Sequence, residues 1–359
     1  MRHLKWDNQT IGIINENNEV SFSFPAYNEV VALYTMGKTA WSAEEFIGFL
    51  YERIVSRDRR DIERLLFRMG LSSYDIIAIS EITRGIHPKD LLWIANDENE
   101  RLDTVMTDVF SSVFLQGIDM IGESVDTPEG YNVKRYGVYE GKYGIYKQRI
   151  SPLTTDAESE VAVSLLGNVF EVPVCPAYKV DADTIFSVFM YDFTKEYIVH
   201  FRRLLQGNRS ENEFKNLIAV RPQYADDISR MILLDFITRQ DDRHLSNIAI
   251  KVNSDGESFY PLYDNGRSLF YEDTEETVSA AVENPIVYAT GFGYSGTHWD
   301  YVEEIEKQRG GIDGLINLDV TDSEVSEILQ KASFEGYRYQ GAFRWISKAL
   351  SMLRQIASH

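Results

Sequence analysis

Hydrophobic and polar positions alternate with a period of two near the start of the chain. Residues 10–14 (Thr-Ile-Gly-Ile-Ile) and 20–24 (Val-Ser-Phe-Ser-Phe) therefore read as strands, joined by the turn-rich Asn15-Glu16-Asn17-Asn18. From Ser42 the period lengthens to that of a helix. Ser42 and Glu45 have the spacing of a capping box, and Phe46, Leu50 and Ile54 follow on one face. A second helix is expected over 61–69, stopped by Gly70, and a short third over 74–82. The polar run 96–100 after Trp93 marks a junction. Beyond it, 133–139 and 143–149 flank the hairpin turn Glu140-Gly141-Lys142. Residues 156–170 form an amphipathic helix, with Val161, Leu165 and Val169 on one stripe and Ala162, Leu166 and Phe170 beside it, ended by Pro173. Strands follow at 178–180 and 185–190, and then helices at 197–205, 224–237, 323–332 and 340–357. This order predicts an α+β, bilobal chain: an accessory domain of strands and short helices over 1–114, a small β-rich lobe over 115–195, and a helical lobe over 196–359.

Charge narrows the partners. The chain carries 36 Lys plus Arg against 56 Asp plus Glu, a net charge of −20. A general nucleic-acid binder needs Lys and Arg to neutralise phosphates, and a peripheral membrane protein needs them for anionic lipid. Neither partner is expected, although a few basic residues in a pocket can still bind one anionic ligand. Cys175, in Val172-Pro173-Val174-Cys175-Pro176, is the single cysteine, so no internal disulfide forms and a cysteine-rich zinc site is excluded. It reads as a buried small hydrophobe. The histidines lack zinc-binding spacing. The first residues lack the apolar core of a signal peptide, and no apolar run approaches the ~18 residues that span a bilayer, so a cytoplasmic location is expected. The cluster Arg53, Arg57, Arg59 and Arg60 reads as a solvated helix face, and 291–296 as a glycine-rich surface loop.

The most informative stretch is 235–250. A helix ends at Asp235-Phe236-Ile237-Thr238, polar residues cluster in Arg239-Gln240-Asp241-Asp242-Arg243-His244-Leu245-Ser246-Asn247, and an apolar strand follows. A second strand, Tyr260-Pro261-Leu262-Tyr263, then ends in Asp264-Asn265-Gly266. Phosphoryl transfer from a nucleotide needs one carboxylate beside the attacking hydroxyl, and an amide oxygen with a further carboxylate to hold Mg²⁺ against the phosphates. Asp242 and Asn247 have the five-residue offset of a kinase catalytic loop, and Asp264 supplies the second metal ligand. Mg²⁺ takes few, hard oxygen ligands, so Asn247 and Asp264 with phosphate oxygens suffice.

Asp242-Arg243-His244-Leu245-Ser246-Asn247 resembles the Asp-Arg-His-x-x-Asn loop of HipA-type and phosphatidylinositol kinases, and Pro261-Leu262-Tyr263-Asp264-Asn265-Gly266 resembles the metal-binding segment of HipA-type proteins. The resemblance covers about 115–359. It implies a protein-kinase-like fold with a β-rich N-lobe and a helical C-lobe. Asp242 would be the catalytic base, Asn247 and Asp264 the metal ligands, and His244 a residue that orders the loop. It also implies an ATP- and Mg²⁺-dependent serine/threonine protein kinase of the toxin–antitoxin type. Its substrate would be translation-related, an antitoxin or regulatory protein its partner, and Ser124 a site of self-phosphorylation. The rival readings are a lipid or small-molecule kinase and a pseudokinase acting as an interaction module.

The remaining parts of such a site can be sought by their physics. Lys147, at the end of the second hairpin strand, would reach the nucleotide phosphates. Glu160 or Glu158, in the first turns of the next helix, would pair with it; Glu160 is preferred because it directly precedes the apolar run. Adenine would lie against Met190 and Tyr191, read by the backbone. Two departures stand out. Gln240 occupies a position where HipA-type loops carry Asn, which keeps an amide one methylene longer. The phosphate-loop segment 122–131 holds two glycines and three acids, a poor anion cradle. Either it closes only with Mg²⁺ and nucleotide, or it contributes little, or Lys134 and Arg135 supply the contacts. Asp241 reads as a solvated loop acid, and Arg243 as a partner for Asp235 or another acid.

Overall fold

The computed structural model describes residues 1–23, 29–58, 62–109, 134–205, 212–288 and 296–357. They fall into two compact units. Unit 1 comprises Met1–Lys147, Tyr191–Val199 and Lys251–Glu257, and unit 2 comprises Gln148–Met190, His200–Ile250 and Ser258–His359.

Unit 1 opens with β1 (Arg2–Trp6), β2 (Gln9–Ile14) and β3 (Val20–Phe22), then α1 (Glu29–Thr35), β4 (Ala40–Trp41), α2 (Ala43–Tyr51), α3 (Ile62–Arg68), α4 (Ile76–Thr83), β5 (Leu92–Ala95) and α5 (Leu102–Val109). The strands form one antiparallel sheet of order β4-β3-β2-β1-β5. Alternation makes β2 and β3 readable from sequence. β1 and β5 are short runs with little alternation (all four residues of β5 are buried), so pattern does not reveal them. The Ser42–Glu45 capping box forms as expected, and Gly70 (φ 74°) terminates the segment after α3. The run 96–100 packs onto the first strand: Lys5, buried, donates from Nζ to the carbonyls of Glu98 (2.9 Å) and Glu100 (2.6 Å). Arg53 corrects the expectation of a solvated arginine face. It is buried and makes a bidentate ion pair with Asp90, 37 residues away. Arg57 is exposed, and Arg59 and Arg60 lie outside the described residues.

The predicted hairpin is present as β6 (Lys134–Tyr139) and β7 (Lys142–Gln148), turning through Glu140 (φ 50°) and Gly141 (φ 75°). In unit 2, α6 (Asp156–Val169) is almost wholly buried and is followed by the β8 (Ala177–Lys179) and β9 (Thr184–Val188) hairpin. The span 197–205, expected as helix, is instead β10 (Tyr197–His200) and a single turn, α7 (Phe201–Leu204). Its buried Tyr-Ile-Val run packs as strand, and Ile198 donates to the carbonyl of Lys89 at 2.9 Å. After α8 (Glu213–Val220), α9 (Ala225–Thr238) forms the core of unit 2, its Ile228, Met231, Ile232, Leu233, Leu234, Phe236 and Ile237 fully enclosed. Then come β11 (Ala249–Asn253), β12 (Gly256–Phe259), α10 (Glu275–Glu283), α11 (Pro285–Tyr288), α12 (His298–Arg309), α13 (Asp322–Lys331) and α14 (Gly336–Ala357). Trp345 of α14 donates its indole N–H to the carbonyl of Phe236 at 3.0 Å, which fixes the C-terminal end of α9. Unit 2 presents its polar loop from that end.

Candidate active site

α9 stops at Arg239, which takes a left-handed conformation (φ 47°, ψ 52°), and Gln240 donates its N–H back to the carbonyl of Asp235 at 2.9 Å. The loop is then built from inside outward. Arg243 is buried and forms two 2.9 Å hydrogen bonds to the Asp235 carboxylate. Its other donors reach the carbonyls of Tyr263 (3.0 Å) and Asn247 (3.4 Å) and Oδ1 of Asn265 (2.7 Å). Burial opposes the guanidinium charge, but Asp235 outweighs it and raises the Arg243 pKa. One side chain thus ties the helix end to both segments that carry candidate site residues.

Gln240 joins the same segments at the surface of this core. Its Oε1 accepts the N–H of Asp242 at 2.9 Å, and its Nε2 donates to the carbonyl of Asp264 at 3.3 Å. Its own carbonyl accepts from Nε2 of His298, the first residue of α12, at 2.6 Å. Burial holds His298 below the ordinary histidine pKa, so the ring is neutral and Nε2 carries the proton. Asn247 closes the loop, donating from Nδ2 to the carbonyl of Asp242 at 3.1 Å, which leaves Oδ1 as its acceptor. His244 orders the turn between them. Its N–H donates to the carbonyl of Asp242 (3.0 Å), its carbonyl accepts from Asn247 (2.8 Å), and its Nδ1 accepts from the N–H of Ser246 (3.2 Å). Burial lowers the His244 pKa, against the pull of Asp242 and Asp264.

Asp264 sits in the left-handed region (φ 58°). After it the chain lies close against α6. A Cβ on Gly266 would come 3.4 Å from Oε2 of Glu160 and 3.3 Å from the carbonyl of Asp156, so only glycine fits there without displacement. That contact sets Glu160, buried on α6, beside the Asp264 segment. Glu158 faces elsewhere: Arg149 holds it with two hydrogen bonds of 2.6 and 2.5 Å. Asp241 is not a solvated acid as expected. It is partly buried, its side chain 26% exposed and 3.7 Å from Arg239, and loss of solvent around the carboxylate pushes its pKa up to about 7.

Unit 2 therefore brings together Asp242, His244, Asn247, Asp264 and Glu160. Met190 also belongs to unit 2, where its N–H donates to the Tyr260 hydroxyl at 3.0 Å and its side chain is exposed. Lys147, on β7, and Tyr191, buried, belong to unit 1. Ser124 and the whole segment 122–131 lie outside the described residues, as does most of the glycine-rich 291–296. Reasoning from sequence missed Arg267, whose Nε lies 3.6 Å from Oδ2 of Asp242, and the contribution of Asn265 and His298. The available signal for Arg267 was its offset of three from Asp264.

Oxygen donors dominate the cluster, and Asn247 Oδ1 with the Asp264 carboxylate suits a hard cation that takes few protein ligands. Among the described residues, no group of three or more His, Cys, Asp or Glu side chains is placed to hold a metal. Nor, among them, is any helix long and apolar enough to cross a membrane.

The sequence matches no family model and no curated protein. Solved structures share the fold, among them two kinases of this kind. The Helicobacter pylori proinflammatory kinase CtkA matches with a TM-score of 0.50 at 15% identity, over 62% of this chain and 92% of that one. HipA of Shewanella oneidensis, solved with HipB and its operator DNA, matches with a TM-score of 0.50 at 11% identity, over 99% of this chain and all of that one. The chain has the α+β fold of the HipA-like kinases, as its loop motifs led one to expect.

Proposed function

We propose that the protein is a HipA-like, Mg²⁺-dependent kinase that transfers the γ-phosphoryl group of ATP to a serine or threonine hydroxyl of a protein. One observation carries this reading. Gln240 and Asn247 hydrogen-bond Asp242 and Asp264 into a single constellation, on a loop anchored by a buried Arg243–Asp235 pair. In it, Asp242 orients the acceptor hydroxyl and takes its proton. Asn247 and Asp264 would hold Mg²⁺, which when bound supplies positive charge against the phosphates. Lys147 would bind those phosphates, with Glu160 as its partner, and adenine would lie near Met190 and Tyr191. Catalysis is then positioning and electrostatic stabilisation. By analogy with the HipA structure, a regulatory protein partner is proposed as well.

The test is transfer from γ-labelled ATP with Mg²⁺ to the protein itself, to casein and to phosphoinositide vesicles. Asp242→Asn should lower transfer by about 100-fold or more. In wild type, saturating ATP–Mg²⁺ at a hundred times Kd should stabilise the fold by about 2.7 kcal/mol, and Asp264→Asn should abolish that gain. Wild type that neither binds nor turns over ATP sinks the reading. Label on lipid alone would sink the protein-kinase part of it.

A further inference from the structure

His298 is fully enclosed and stands at the first position of α12. The start of that helix is fixed from both sides. The Asp300 N–H donates to the Thr297 hydroxyl at 3.2 Å, and the Thr297 N–H donates to the Asp300 carboxylate at 2.7 Å, a reciprocal cap. The Trp299 ring lies 5.5 Å from that of Phe236 on α9, and Val302 and Ile305 are buried further along. The imidazole is therefore held on a helix that is itself braced against α9.

Among the described residues, its hydrogen-bond partner is the Gln240 carbonyl, at 2.6 Å, and its Nδ1 has none. A carbonyl only accepts, so Nε2 is the nitrogen that donates. α9 has ended at Arg239, so no helical N–H is on offer to that carbonyl. Gln240 is 1% exposed, and its remaining groups are engaged in three directions: its N–H with the carbonyl of Asp235, its Oε1 with the N–H of Asp242, and its Nε2 with the carbonyl of Asp264. One side chain can span Asp242 and Asp264 only while its own peptide stays in place. Arg243 pins the loop at Asp235, Asn247, Tyr263 and Asn265, and His298 pins it at Gln240.

Resting on the kinase reading above, we infer that His298 is a positioning residue for phosphoryl transfer. It fixes the Gln240 peptide, and through the Gln240 side chain it sets the base Asp242 against the Asp264 segment. It touches no reacting group. Its contribution lies in the geometry of transfer and not in nucleotide affinity, and it depends on the Gln240 side chain being present.

The experiment measures transfer from γ-labelled ATP to whichever of the three acceptors above wild type labels, per folded molecule, in full chains. His298→Leu should lower kcat by about 30-fold with KM for ATP within about twofold, since a small misplacement arising away from the chemistry can cost about 100-fold. His298→Gln, whose amide reaches the place of Nε2, should return kcat to within about threefold of wild type, whereas the shorter His298→Asn should resemble the leucine variant. Adding His298→Leu to Gln240→Leu should cost less than about twofold more, because residues that act through one another are not additive. A kcat within twofold of wild type in folded His298→Leu overturns the inference. So do losses that multiply in the double variant, which would place the action of His298 outside the clasp. Where His298→Leu fails to fold, equal kcat in the glutamine and asparagine variants overturns it. In each case wild type still transfers and the kinase reading stands. Wild type that transfers nothing removes that reading and this inference together.

Discussion

Each unit contains a buried arginine that grips an aspartate with both arms. In unit 1, Arg53 pairs with Asp90 at 2.8 and 2.7 Å and collects the carbonyls of Gly85 (2.6 Å) and Leu92 (2.7 Å). In unit 2, Arg243 pairs with Asp235 and collects the carbonyls of Tyr263 and Asn247. The chemistry is the same: a guanidinium with five donors satisfies a carboxylate and the peptide oxygens that would otherwise be orphaned. The tethered segments differ. Arg53 joins the end of α2 to the approach to β5, which is scaffold. Arg243 joins α9 to the two segments that carry Asp242, Asn247 and Asp264. An identical motif closes a fold in one place and sets a reactive loop in the other, so buried pairing alone does not mark function.

The largest effects should come from these pairs, and they should differ in kind. Arg243→Ala leaves Asp235 charged and enclosed, so unit 2 should lose about 3–5 kcal/mol and phosphoryl transfer should vanish with it. Arg53→Ala should cost about as much in denaturant unfolding, yet leave transfer per folded molecule within about twofold of wild type, because the groups Arg53 holds (Asp90 and the carbonyls of Gly85 and Leu92) include no candidate site residue. Loss of transfer in well-folded Arg53→Ala protein would erase the contrast. A smaller change is expected from Gln240→Leu, which removes both ends of the clasp. It should cost about 1–3 kcal/mol and reduce kcat more than it raises KM, and Gln240→Asn should restore part of both. The effect that depends on pH concerns Asp241. Its pKa is raised by burial to about 7, against an ordinary value near 4, so the folded chain keeps a proton that the unfolded chain has released. Stability then falls as pH rises between those values, with the full penalty present above pH 7. Asp241→Asn should therefore gain up to about 4 kcal/mol over wild type at pH 8 and almost nothing at pH 4, read from midpoints in urea.

Locality decided how much of this was legible beforehand. β2, β3, the Ser42–Glu45 cap, the Glu140–Gly141 turn and α6 rest on neighbours within a few residues, and each appeared where pattern placed it. Arg243 was readable as a partner of Asp235 because only eight positions separate them. Arg53 was not, because Asp90 reaches it only after 37 residues of folded chain. The candidate site divides the same way. The five-residue spacing of Asp242 and Asn247 is visible in the loop itself. The clasp from Gln240 to Asp264, across 24 residues, and the approach of Arg267 to Asp242 depend on the chain returning through the strand before Asp264. The 197–200 strand was missed because a three-residue buried run carries too little period to separate strand from helix.

The left-handed backbone at Asp264 has a consequence for variants of this chain. A side chain there costs about 1 kcal/mol relative to glycine, and asparagine or aspartate tolerates the conformation better than alanine does. Asp264→Asn is thus a clean removal of charge, whereas Asp264→Ala mixes it with backbone strain. Asp264→Gly should fold more stably than wild type while lacking the carboxylate. A library sorted by heat resistance would therefore enrich chains that have given up the proposed chemistry, and sorting for persistence and sorting for phosphoryl transfer would pull this one position in opposite directions.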